Sequence, residues 1–279
     1  MKILFKTVLF ASIAFFMGCG GNAKPTEENT STEEFSELSK EEGFAEKHAE
    51  PEAIEAEKMG KMISIPVEGG DAAAAYQVKN ESETNNYLFV IHEWWGLNDQ
   101  IKNEADKWFE KLGNVNVVAL DLYDGKVATT REKAQEYMSG ADEVRIQSII
   151  DAAIATLPEN AKLATIGWCF GGGWSLRTAL QAGDKTAACV MYYGMPVKEV
   201  DKLKSLNSEV LFIYGTQDDW INEEVANTFK ENMKQANKEL EVKAFDADHA
   251  FANPSGDHYK ESAAQEANKL AYEFLRERL

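Results

Sequence analysis

Cys169 stands in the stretch LATIGWCFGGGWSL, residues 163–176, with Gly167 two residues before it and Gly171 two residues after it. The apolar run from Leu163 to Gly167 reads as a strand, and Trp174, Leu176, Thr178 and Ala179 fit the apolar side of a helix that follows. The thiol therefore falls at the bend between them. A residue on so tight a turn is held in a strained backbone conformation, and side chains two positions away on either side would collide, so both positions call for glycine. The chemistry that suits this placement is nucleophilic attack. The turn points the backbone N–H of Phe170 and the start of the helix at the space in front of the sulfur, which favours a developing negative charge. The motif alone is equally compatible with a buried structural cysteine.

A thiol needs a base to become a thiolate at neutral pH, and an imidazole base needs a carboxylate to orient it. In an open α/β sheet such groups gather in loops at the carboxyl ends of strands. Cys169, Asp218 and His249 follow one another after successive strands, in the order nucleophile, acid, histidine that an α/β-hydrolase requires. Of the other histidines, His48 lies in a Glu-rich segment, His92 precedes the nucleophile at a strand end, and His258 lies near a helix start. Asp218 comes three residues after Gly215 and is preferred as the acid, with Asp219 as the alternative. Glu93, in HEWWG, is a carboxylate in an apolar and aromatic setting, costly without a partner, and a thiol proton is one such partner. An exposed carboxylate paired with a surface cation is the competing reading. Trp94 and Trp95 either line a pocket or pack against the sheet.

From about residue 60 the pattern alternates strands and helices to the end. KMISIPV and AAAAYQV suit a leading hairpin, and NYLFVIHE, VNVVALDLY, AACVMYYG, SEVLFIYG and LEVKAF read as further strands. Helices are expected from Asn98 or Asp99 onward, over 131–138, 142–157 and 222–235, and from about Tyr259. Short apolar strands between helices mean an α/β fold, a mostly parallel central sheet with helices on both faces. No repeat or linker divides residues 60–279, which form one domain of catalytic size.

Five stretches, VIHEWWGLN, LDLY, GWCFGGG, YGTQDDW and DHAFANP, together resemble the dienelactone hydrolase family, in the same order and at similar separations. The resemblance covers about residues 60–279. It implies an α/β-hydrolase fold, a Cys169, Asp218 and His249 triad, and cleavage of an ester or lactone through an acyl-thioester. It further implies that Glu93 contacts the resting thiol and that the backbone N–H groups of Trp94 and Phe170 form the oxyanion hole. The family holds its substrate carboxylate with two arginines. Arg131 matches the first, whereas Asn253 stands where the second is usual, so half of the anion clamp is missing and the resemblance does not carry over the family's own substrate. Arg131, Trp95 and Asn253 are the expected substrate contacts.

Composition bounds the rest. The chain has 279 residues, 44% of them hydrophobic, and a formal net charge of −18. That charge argues against nucleic acid or an anionic membrane surface as a partner. Lys2 and Lys6 flank the start of an apolar run too short for a comfortable membrane span, and it ends in FFMGC. The run resembles the signal peptide and lipobox of bacterial lipoproteins, with residues 1–18 removed and Cys19 lipidated. Residues 19–59 read as an acidic tether, solvated or loosely helical, that holds the domain away from a bilayer of the bacterial cell envelope. Cys189 reads as a small buried hydrophobe, and no disulfide framework is evident. No cluster of Cys and His has metal-ligand spacing, so neither metal nor cofactor is expected. The leading reading is a thiol hydrolase of small-molecule esters or lactones. A non-catalytic binding module on the same scaffold is the alternative, and a peptidase is the third reading.

Overall fold

The computed structural model describes residues 31–51 and 57–279. The leader and Cys19, read above as a lipoprotein signal, lie outside the described residues.

Among the described residues eight strands form one sheet: β1 (Lys61–Ile65), β2 (Ala73–Val78), β3 (Asn86–Ile91), β4 (Asn116–Leu120), β5 (Lys162–Trp168), β6 (Thr186–Tyr192), β7 (Glu209–Gly215) and β8 (Leu240–Phe245). Their order across the sheet is β1-β2-β4-β3-β5-β6-β7-β8. The leading hairpin is present, since β1 pairs antiparallel with β2 and β2 antiparallel with β4. Every pair from β4 to β8 is parallel. This is the α/β-hydrolase fold. All five residues of β4 and all but the first of β5 are buried. A strand buried at every position must be covered on both faces, and such strands read as continuous apolar runs rather than alternation.

The helices are α1 (Ser31–Leu38), α2 (Asp99–Leu112), α3 (Arg131–Ser139), α4 (Glu143–Ala155), α5 (Phe170–Ala182), α6 (Val200–Leu203), α7 (Glu223–Gln235) and α8 (Glu261–Arg278). Several begin on caps legible in the sequence. The Asn98 side chain accepts from the Ile101 N–H, Asp142 accepts from the N–H groups of Val144 and Arg145, and Asn222 from those of Glu224 and Val225. Each cap satisfies donors that the first helical turn leaves open. Among the described residues no helix is long and apolar enough to cross a membrane.

Residues 31–51 do not behave as a solvated tether. Phe35 and Phe44 are both completely buried, and removing a phenyl ring from water stabilises by about 2–3 kcal/mol. Phe35 lies 5.0 Å from the Phe170 ring, with the Arg177 guanidinium 5.1 Å above it. Glu34 pairs with Arg177 and with Lys198. Farther along, Lys47 bonds Asp219 at 2.7 Å and Asp248 at 3.1 Å, and the Gln135 amide donates to the Ser39 carbonyl at 2.5 Å. The acidic composition of the segment conceals these few anchoring side chains.

Candidate active site

Cys169 follows directly on β5 and opens α5, with φ 54° and ψ −119°. That positive φ is a conformation an L-residue rarely adopts, and it projects the side chain out of the turn. The flanking glycines meet backbone, as the spacing implies. A Cβ on Gly167 would sit 2.1 Å from the Gly171 carbonyl oxygen, and one on Gly171 would sit 2.3 Å from that of Ile91. Gly173 is tight for a different reason: a Cβ there would lie 2.6 Å from the Phe35 ring and 2.8 Å from the Met195 carbonyl oxygen. The third glycine of the run thus makes room for α1.

The loops after β7 and β8 bring Asp218 and His249 together. His249 Nδ1 donates to Asp218 Oδ2 at 2.6 Å, and both side chains are fully buried. The other carboxylate oxygen accepts from the N–H groups of Trp220 and Ile221, each at 2.9 Å. Burial opposes ionisation of Asp218, but the adjacent His249 and these two N–H groups hold its carboxyl below its usual range. Burial likewise opposes charge on His249. Asp218 and the Cys169 sulfur together outweigh it and raise the imidazole well above its ordinary value. His249 Nε2 is buried and, among the described residues, has no oxygen or nitrogen partner; it faces the Cys169 sulfur. Asp219, the alternative acid, is exposed and pairs with Lys47.

Besides His249, the thiol meets His48, which belongs to the segment expected to be an acidic tether. His48 Nε2 lies 3.9 Å from Cys169 Sγ, and its Nδ1 lies 2.6 Å from the Phe44 carbonyl oxygen. A carbonyl can only accept, so Nδ1 carries the proton and Nε2 presents a lone pair to the sulfur. Burial, aided by the nearby His249, pushes His48 down to about 3, which keeps the ring neutral. Its ring packs 4.5 Å from Trp94 and 5.1 Å from His249. Only 2% of Cys169 and none of His249 is exposed, so the segment carrying Phe44 and His48 closes the approach to the sulfur.

Glu93 is buried after β3, as its setting suggested, but its carboxylate accepts from Asn253 Nδ2 at 2.7 Å. The expected contact between Glu93 and the thiol is replaced by two separate ones, Glu93 to Asn253 and Cys169 to His48. Burial pushes Glu93 up to about 7, partly countered by His249 and the Asn253 bond. Asn253 Oδ1 in turn accepts from Gln100 Nε2 at 2.5 Å and from the Ser255 N–H at 2.9 Å. Arg131, at the start of α3, donates from Nε to the His48 carbonyl oxygen at 2.6 Å. The expected substrate arginine therefore holds the covering segment in place.

Trp94, Trp95 and Phe170 are all buried around the elbow. Trp94 Nε1 is buried without a partner among the described residues. Tyr193, with φ 33° and its ring 5.1 Å from His249, had no sequence signal beyond a strand end. Phe35 and Phe44 had one: they are isolated aromatics in a Glu-rich run, and Phe44 and His48 are four residues apart. His92 is structural. Its Nδ1 bonds the Glu93 carbonyl oxygen at 2.6 Å and its Nε2 accepts from the Leu122 N–H at 3.1 Å, tying the ends of β3 and β4 together.

A parallel sheet with a positive-φ elbow after a central strand defines an α/β-hydrolase. Within that class, the chain belongs to the dienelactone hydrolase family, which it matches over residues 73–279. It is 30% identical over 206 residues to the protein usf of Aquifex pyrophilus, covering 69% of this chain and 88% of that one. To carboxymethylenebutenolidase 1 of Cupriavidus pinatubonensis it is 25% identical over 228 residues, covering 76% and 95%. Two solved structures share the fold. A dienelactone hydrolase-like promiscuous phosphotriesterase from metagenomic libraries aligns with a TM-score of 0.68 at 20% identity, covering 79% of this chain and 99% of that one. The dienelactone hydrolase of Anabaena variabilis aligns with a TM-score of 0.59 at 18% identity, covering 80% and 99%. The protein is a hydrolase.

Proposed function

We propose that the protein cleaves small carboxylic esters or lactones with Cys169 as nucleophile, His249 as general base and acid, and Asp218 as the group that orients the imidazole. His249 Nε2 takes the thiol proton and Sγ attacks the substrate carbonyl carbon. The backbone N–H groups of Trp94 and Phe170 receive the oxyanion. The tetrahedral species collapses to an acyl-thioester, and the leaving alkoxide takes the proton from His249. Water, deprotonated by the same nitrogen, then attacks the thioester and releases the acid and the thiol. The observation that carries this reading is the buried Asp218–His249 bond of 2.6 Å, which leaves the second ring nitrogen to the sulfur of the elbow cysteine.

The substrate is a neutral ester or lactone rather than a dicarboxylate. Asn253 carries no charge and is engaged by Glu93 and Gln100, while Arg131 spends its Nε on the His48 carbonyl, so the paired cations that would clamp a second carboxylate are reduced to one. The basic and apolar leader that ends at Cys19 supports a lipid-anchored enzyme of the bacterial cell envelope. The test is turnover of p-nitrophenyl acetate by the wild type and by Cys169→Ala. Loss of turnover is expected in the variant, together with loss of near-neutral iodoacetamide labelling in His249→Ala, and unaltered turnover in Cys169→Ala would overturn the assignment. The closed approach to the sulfur favours one rival, a binding module that performs no chemistry. Ligand-induced thermal stabilisation without any turnover or acylation would select it.

A further inference from the structure

Three side chains from distant parts of the chain present soft donor atoms to one another at the elbow. Cys169 Sγ and one ring nitrogen from each of His48 and His249 all lie within 4.8 Å of one another, and all three residues are buried. The tautomers are set for ligation from behind. His48 gives its Nδ1 proton to the Phe44 carbonyl and His249 gives its own to Asp218, each at 2.6 Å, so both Nε2 atoms are the ones left to bind. Backing of this kind, a carbonyl or carboxylate on the far nitrogen, orients a metal-bound histidine and raises its basicity. His249 Nε2 is buried and, among the described residues, meets no oxygen or nitrogen partner, only the Cys169 sulfur.

The geometry points to a site for one soft divalent cation, Zn²⁺ or Co²⁺ in type, held by His48, Cys169 and His249 and completed only when residues 31–51 are docked. Zinc–nitrogen bonds of about 2.0–2.1 Å and a zinc–sulfur bond of about 2.3 Å put tetrahedral ligand atoms roughly 3.3–3.6 Å apart. The Sγ to His48 Nε2 separation of 3.9 Å is close to that span. One sulfur and two imidazoles prefer Zn²⁺ and Co²⁺ to Mg²⁺ or Ca²⁺, which take oxygen ligands. Binding forms a thiolate–metal bond and a metal–Nε2 bond, and the proton held between the sulfur and His249 Nε2 leaves to the buffer. A fourth position is open to water.

Ligation needs only the three side chains, whereas inhibition by the metal rests on the functional reading above, because it removes the nucleophile and the base together. The full chain, stripped with a chelator and kept reduced with a phosphine, is titrated with Co²⁺ and followed by absorption. The expected result is saturation at one equivalent, with tetrahedral ligand-field bands and a sulfur-to-metal charge-transfer band that Zn²⁺ displaces and Mg²⁺ does not. His48→Ala weakens binding at least tenfold, and Cys169→Ser removes the charge-transfer band. X-ray absorption of the zinc-loaded wild type, which needs no variant to fold, shows one sulfur and at least two imidazole nitrogens. Absence of the bands, binding undiminished in His48→Ala, or a zinc shell without sulfur overturns the site. These readouts use no substrate, so a protein that binds the metal but turns over no ester refutes the functional reading alone. In an active protein one equivalent of Zn²⁺ stops turnover and a chelator restores it.

Discussion

Asn253 Nδ2 donates to Glu93 Oε2 at 2.7 Å, which joins the loop after β8 to the end of β3 beneath the elbow. The carboxylate so held is buried and titrates near 7 instead of 4.5. Between those values the folded protein keeps a proton that the unfolded chain has lost, so stability falls as pH rises across that window. The loss is on the order of 3 kcal/mol when complete. Glu93→Gln removes it. Melting temperatures at pH 5 and pH 8 are expected to differ more in the wild type than in the variant, with the wild type weaker at pH 8. Parallel pH curves would refute the assignment of a raised Glu93.

Asp218 and Asp219 are neighbours with opposite surroundings, one buried against His249 and one exposed beside Lys47. Asp218→Asn leaves the shape but removes the charge that stabilises the imidazolium, and kcat is expected to fall on the order of 10³–10⁴-fold. Asp219→Asn loses only a surface ion pair, worth under about 1 kcal/mol. Steady-state kinetics of the two variants side by side decide the matter, and an equal loss in both would refute the distinction.

Phe44 is fully buried between Trp94 and Trp220, with ring centroids 5.2 and 5.0 Å away. Phe44→Ala removes an apolar anchor of the segment that carries His48, and truncations of buried Phe cost about 3–5 kcal/mol. The docked state of residues 31–51 is weakened accordingly. Iodoacetamide labelling of Cys169 in the full chain is expected to accelerate at least tenfold. An unchanged labelling rate would mean that the thiol is reached by another route.

Gly171→Ala drives a methyl into the carbonyls of Ile91 and His92, at 2.3 and 2.4 Å, where no side chain can yield. The backbone must shift, and the elbow with it. Expression and thermal unfolding are expected to show a loss of about 3 kcal/mol or more, in the range of severe core overpacking. Gly70→Ala, whose Cβ would be 3.5 Å from Arg145 Nη1, is the control with no such clash. Equal stability of the two variants would remove the steric account of the elbow.

The elbow and the strand ends were legible in the sequence because their causes are local. Glycine is required where backbone meets backbone, and a strand buried on both faces must be apolar along its length. Asp218 and Asp219 could be ranked but not separated, since one residue in a loop decides which carboxylate turns inward. The role of residues 31–51 was hidden for a different reason. Lys47 finds Asp248 across 201 positions, and Phe35 sits over Gly173 in the helix that follows the elbow. Averaged composition weighs the many glutamates and overlooks the two phenyl rings and the imidazole that do the binding. The same oversight hid the fact that Glu93 and Cys169 each have a partner other than the other.

Residues 31–51 join the amino-terminal part of the chain to β1 while lying across the sulfur. Phe35, Phe44 and the Lys47 ion pairs fix that segment to the domain. The shelter of Cys169 thus comes in part from side chains that precede residues 73–279, the span the chain shares with its family.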